Sequence, residues 1–122
     1  MPVDHEIDSR NENIQIYITG SFYHRDEAKI SVYDSGFLMG DGIWEGLRLV
    51  NNKWIFIDEH IDRLFEGCKA IDLDIKMTKE DIVNALDETK AINNMSNEVH
   101  ARLMVTRGNK TKPFQQPHLS DS

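Results

Sequence analysis

The stretch from Tyr33 to Val50 constrains this chain most. It sets Gly36, Gly40 and Gly42 close together and then alternates from Ile43 to Val50. Glycines that dense suit a backbone that turns sharply, takes φ > 0 or lets a ligand come close. The alternation predicts a strand, whose successive side chains point to opposite faces. Ile43, Glu45, Leu47 and Leu49 then share one face, and Trp44, Gly46, Arg48 and Val50 share the other. An indole, a bare backbone and a guanidinium on one face could cradle a flat ligand with an acidic group. For an isolated strand the plainer reading is Trp44 as core and Arg48 as a solvated edge residue, because buried aromatics and exposed arginines are the rule.

On either side of this stretch the periodicity is readable. Residues 1–13 are polar and acidic, and read as a poorly ordered lead-in. Ile14 to Thr19 alternates as a strand; Phe22 to Arg25 and Ala28 to Val32 read as two further short strands. Asn51-Asn52 lies between alternating runs and predicts a tight hairpin into Lys53–Ile57, because Asn tolerates the φ > 0 of a type I′ turn. The period then changes. Ile61, Leu64, Phe65, Cys68 and Ile71 mark one face of a helix from about Asp58 to Ile71, with Asp58 as N-cap. Thr78 and Asp81 stand in capping-box spacing at the start of a second helix, with Met77 and Ile82 at the staple positions. Asn93-Asn94 closes it. Glu98 to Thr106 alternates again, with Val99, Ala101, Leu103 and Val105 inward and His100, Arg102 and Met104 outward. Residues 109–122 have no periodicity and read as a tail or linker. The order implies an α+β domain over residues 14–108: an antiparallel or mixed sheet with two helices on one face. Its other face would carry Trp44, Arg48, His100 and Arg102.

Charge and motif content exclude several functions. The net charge of −7 argues against DNA, RNA or an anionic membrane as partner. The longest strongly apolar runs, such as Trp54–Ile57, fall far short of the roughly 18 residues a membrane span needs. A lone cysteine, Cys68, rules out an intrachain disulfide and fits a cytoplasmic location. Gly40-Asp41-Gly42 opens like a dinucleotide fingerprint, but Glu45 takes the last glycine position and a strand follows. There is no phosphate loop of the G-K-[ST] type, and the scattered histidines give no metal site. On a helical wheel Arg63 lies away from the apolar stripe, which by periodicity alone makes it a solvated arginine; its planar fork would equally suit a phosphate.

Four segments carry a resemblance: Ile30 to Gly36 (ISVYDSG), Gly40 to Arg48 (GDGIWEGLR), Glu59 to Leu64 (EHIDRL) and Arg102 to Gly108 (RLMVTRG). In this order and spacing the chain resembles the small N-terminal domain of class IV (fold type IV) pyridoxal-phosphate aminotransferases. That family includes branched-chain amino acid aminotransferase, D-amino acid aminotransferase and aminodeoxychorismate lyase. The resemblance implies that Arg63 binds the phosphate of pyridoxal 5'-phosphate. It implies that Trp44, Gly46 and Arg48 line the substrate pocket, and that Arg102 stands near the substrate carboxylate. His100 occupies a position that is tyrosine in branched-chain enzymes. Lys112 and Phe114 stand where D-amino acid enzymes place an arginine and a histidine, so the likeness is closest to branched-chain members.

The implied activity is amino-group transfer between an amino acid and a 2-oxo acid, in a homodimer. Family members carry the Schiff-base lysine in a second domain, and no lysine here matches it. The chain by itself is therefore expected to hold no catalytic residue and to be inactive. A stand-alone binding or dimerisation module is the alternative, as is D-amino acid transamination or lyase chemistry within the same family. If the named residues line one pocket, Arg63 lies on the sheet's uncovered side, close to Trp44 and Arg48.

Overall fold

A computed structural model describes residues 8–109. The alternating run forms β3 (Gly42–Val50), the central strand of a three-stranded antiparallel sheet ordered β4-β3-β5, with β4 at Lys53–Trp54 and β5 at Val99–Thr106. β1 (Gln15–Ile18) and β2 (Ser21–His24) make a separate antiparallel hairpin. The expected fold class therefore holds, with the strands divided between two small sheets rather than joined in one.

Helices α2 (Ile57–Ala70) and α3 (Lys79–Ile92) follow from the change of period. Both pack on the odd-numbered face of β3. Leu47 of β3, Ile61 of α2, and Ile82 and Leu86 of α3 form the core, with Ala101 and Leu103 of β5 packed against them. Gly67 of α2 lets helix and strand approach closely. A Cβ there would sit 3.2 Å from the Ile43 side chain, tighter than ordinary contact. The two-stranded hairpin joins the core through Asn93. Its side chain accepts from Gln15 N at 2.7 Å and donates to Gln15 O at 2.9 Å, completing the strand's hydrogen bonding at the end of α3.

Local chemistry explains the element ends. Asn51 and Asn52 have φ of 49° and 64°, the left-handed pair a type I′ turn requires. Thr78 and Asp81 form the reciprocal capping box. Three expectations are corrected. Helix α2 starts one residue before Asp58, behind Phe56 in a left-handed conformation, so Asp58 lies in the first turn and does not cap. Ala28–Val32 forms no strand: Ile30 and Val32 are exposed and, among the described residues, no strand pairs with them. The glycine-dense stretch contains a short helix, α1 (Ser35–Met39). Asp34 caps it by accepting from Gly36 N and Phe37 N, and Gly40 ends it with φ of 67°. Part of the lead-in is described as well. Ser9–Asn11 form one 3-10 turn, and Arg10 donates to the carbonyls of Asn97 and Glu98. Residues 1–7 and 110–122, which include most of the expected tail, lie outside the described residues.

Leu47 is fully buried at the centre of the core. Leu47→Ala is expected to lower unfolding free energy by about 2–5 kcal/mol in urea titrations, and Thr78→Ala by about 1 kcal/mol through the lost cap.

Candidate functional site

The register of β3 with β5 sets the uncovered face. Trp44 lies opposite Met104, Gly46 opposite Arg102, and Arg48 opposite His100. Even-numbered side chains of both strands therefore point away from the helices. Trp44, Arg48, His100, Arg102 and Met104 are all exposed. The Arg102 guanidinium stacks 4.5 Å from the Trp44 ring centre, a cation–π contact across the diagonal. The His100 ring lies against the bare backbone of Gly46, where a Cβ would stand 3.0 Å from His100 Cε1. Five of the six sequence-predicted site residues are thus brought together. Among the described residues none of Arg48, His100 and Arg102 has a salt-bridge partner. Although the chain is acidic, these side chains include no carboxylate.

Arg63 is elsewhere, and the expectation that it shares this face is corrected. It projects from α2 and bonds to Glu45, whose side chain points to the helix-covered side of β3. Arg63 Nε donates to Glu45 Oε1 and Oε2 at 3.1 and 2.9 Å, and Nη2 donates to Oε1 at 2.7 Å. His60, one turn earlier on α2, places Nδ1 2.7 Å from the same Oε1. The Glu45 side chain is 4% exposed, whereas that of Arg63 is 69% exposed. The helical wheel puts Arg63 off the apolar stripe, and that geometry stands. A wheel does not show that the side chain reaches back to a buried carboxylate.

Glu45 is the residue that motif reasoning passes over. A signal exists: an acid alternates with Ile43, Leu47 and Leu49 on the face read as core. A buried carboxylate demands a cationic partner. The Arg63 hydrogen bonds hold the Glu45 carboxyl below the usual carboxylate range, against the opposing effect of burial, with His60 adding to the lowering. The same pair raises the pKa of Arg63.

The two groups are separated by the thickness of one strand, and one margin of that strand is open. β4 pairs only with Leu49 and Val50, and Ile55 N then donates to Arg48 O. From Gly42 to Leu47 no described strand borders β3 on that side. Backbone groups alternate in direction along a strand. Those of Arg48, Gly46 and Trp44 therefore face this margin. Among the described residues no three His, Cys, Asp or Glu side chains converge as metal ligands.

Comparison with known proteins bears on this arrangement. The family described as Amino-transferase class IV matches residues 42–120. Over 95 residues the chain is 41% identical to a Methanocaldococcus jannaschii protein whose name places it among branched-chain-amino-acid aminotransferases; the match covers 78% of this chain and 33% of that protein. A D-alanine aminotransferase of Listeria monocytogenes is 36% identical over 95 residues, covering 78% of this chain and 32% of its own length. The fold is similar to that of a branched-chain aminotransferase from the thermophilic archaeon Thermoproteus uzoniensis, solved with norvaline. The TM-score is 0.70 at 25% identity, over 85% of this chain and 35% of that one. The chain thus spans about a third of the length of these relatives.

The lowered Glu45 pKa makes stability depend on pH. The folded carboxyl gives up its proton more readily than the unfolded one. The pair's contribution is therefore full above the unfolded value of about 4.3 and is lost as pH falls through the lower folded value. Urea midpoints measured from about pH 6 down to about pH 3 are expected to fall for the native chain. Glu45→Gln is expected to be less stable at the upper end and to lack that component of the slope.

Proposed function

We propose a role that proceeds from one premise: the chain belongs to the class IV aminotransferase family. Its residues supply the phosphate anchor and the substrate-side wall of a pyridoxal 5'-phosphate site. The reaction served is amino-group transfer between an amino acid, of branched-chain type, and a 2-oxo acid. One observation carries this reading. The Arg63 guanidinium is held along one edge by the buried Glu45 and is otherwise exposed.

These residues fit the cofactor. A guanidinium pinned by one edge keeps N–H donors for a phosphate monoester on the other. Bound pyridoxal phosphate supplies an electron sink that the protein's own side chains lack. Arg63 fixes the phosphate end. Trp44 offers an apolar wall to a substrate side chain. Arg48, Arg102 and His100 draw carboxylates to the same face and orient them. Arg102 is restrained by its stack on Trp44, so its charge is directed rather than free to wander. His100 replaces a hydroxyl donor with an imidazole, which leaves carboxylate recognition mainly to the arginines.

The greater identity to the branched-chain relative favours that substrate class over D-amino acids. We extend the proposal to self-association as a homodimer, supported by exposed apolar side chains: Tyr33, Phe37, Met39, Trp44 and Met104. A cytoplasmic setting is supported by the free, buried thiol of Cys68.

Calorimetric titration with pyridoxamine 5'-phosphate, using pyridoxamine as reference, tests the anchor. The phosphorylated form is expected to bind about tenfold more tightly or better, as two charge-assisted hydrogen bonds allow. Arg63→Ala is expected to erase that preference, whereas Arg48→Ala keeps it. An Arg63→Ala protein that retains the preference sinks the assignment.

A further inference from the structure

We infer that Glu45 is a positioning residue for anion recognition: it takes the Nε–Nη2 edge of Arg63 and thereby presents the opposite Nη1–Nη2 edge to a phosphate monoester. This rests on the function proposed above and adds the group that makes the anchor rigid.

A comparison of arginines within the chain carries the inference. Three guanidinium groups bond through Nε and Nη2 to a carboxylate: Arg10 to Asp8, Arg107 to Asp41, and Arg63 to Glu45. The first two also use their outer nitrogens within the protein. Arg10 donates from Nη1 and Nη2 to Asn97 O and Glu98 O. Arg107 donates from Nη1 and Nη2 to Asp72 O and Ile71 O. Both are clips, with both edges of the fork engaged. Arg63 has the same carboxylate arrangement, yet its outer edge meets no acceptor among the described residues.

The carboxylate under Arg63 is also the most constrained of the three. Glu45 is buried on the central strand, on the same face as the fully buried Leu47 and Leu49, so its position follows the backbone of β3. His60 Nδ1 holds Oε1 from α2 at 2.7 Å, which restricts rotation of the carboxylate plane. An exposed arginine normally loses side-chain freedom when it grips an anion. Here that ordering precedes the ligand, and preorganisation of this kind raises affinity without any new contact. Among the described residues Arg48 and Arg102 have no such support, and Arg102 sits 4.5 Å over the Trp44 ring centre.

The experiment is a double-mutant cycle on the full chain, read as the ratio of affinities for pyridoxamine 5'-phosphate and pyridoxamine. Glu45→Gln is expected to lower the ratio about tenfold in the native background and to change it little in Arg63→Ala. A structural role alone would not produce that dependence on Arg63. Glu45→Asp, which keeps the charge but withdraws it by a methylene, is expected to give an intermediate ratio and serves if Glu45→Gln does not fold. If Arg63→Ala erases the ratio while both Glu45 variants keep it, Glu45 only stabilises the fold, and the phosphate reading survives. A ratio near one in the native chain, or one unchanged in Arg63→Ala, overturns the phosphate reading and this inference together.

Discussion

A carboxylate inside the hydrophobic face of the central strand is the constraint on which this architecture turns. Glu45 lies between the α2–α3 layer and β3, on the same face as Leu47 and Leu49, where a charge without partners costs several kcal/mol. Arg63 and His60 meet that demand from successive turns of α2. The helix is thus tied to the strand by directional bonds as well as by Ile61 and Leu64. Apolar packing alone tolerates small rotations of a helix about its axis. A bidentate ion pair does not, because both oxygens and both nitrogens must stay in plane.

A second, half-buried pair does comparable work at the other end of β3. The Arg107 side chain, 12% exposed, joins Asp41 in the glycine-dense stretch to the carbonyls that end α2. Asp34 adds a third tie: it caps α1 and accepts from Thr106 Oγ1 at 2.7 Å. The loop that leads into β3 is therefore moored to β5 and to α2 before the strand begins. Gly42 makes this closeness possible, since a Cβ there would stand 2.6 Å from Val105 O. The dense glycines serve backbone-to-backbone approach at Gly42 and a helix stop at Gly40. Gly46, among the functional groups, makes room for the His100 ring, which a Cβ would meet at 3.0 Å.

Features encoded by neighbouring residues were legible in the sequence. Period two gave β3, β5 and the composition of the uncovered face, because side-chain direction in a strand follows from parity alone. Asn51-Asn52 and the Thr78–Asp81 box declared themselves because their geometry is closed within four residues. What escaped was set by tertiary partners. Ala28–Val32 has strand-like alternation, but a strand exists only where another offers hydrogen bonds, and none does. Helix α1 is one turn long, too short for an apolar stripe to register. The Glu45–Arg63 bond joins residues eighteen apart across a change of secondary structure, and only the odd acid on an apolar face hinted at it. The family likeness named Arg63 but implied a place beside Trp44 and Arg48, whereas the side chain reaches Glu45 on the helix-covered side.

The division of polar groups over two faces of β3 has a geometric consequence for any ligand that uses both. A full-length partner strand beside Gly42 to Leu47 would wall the Arg63 side off from the Trp44 side. β4 stops after pairing with Leu49 and Val50, because only Lys53, Trp54 and Ile55 separate the two-residue turn from the left-handed Phe56 that starts α2. The brevity of β4 is thus what leaves the margin open, and the margin is where the backbone of Gly46 faces outward. An unprotected strand edge ordinarily invites pairing with other chains. Here the exposed Trp44 and Arg48 flank it on one face, which crowds an incoming strand with bulk. The short β4 thus leaves the edge of β3 from Gly42 to Leu47 without a partner strand among the described residues.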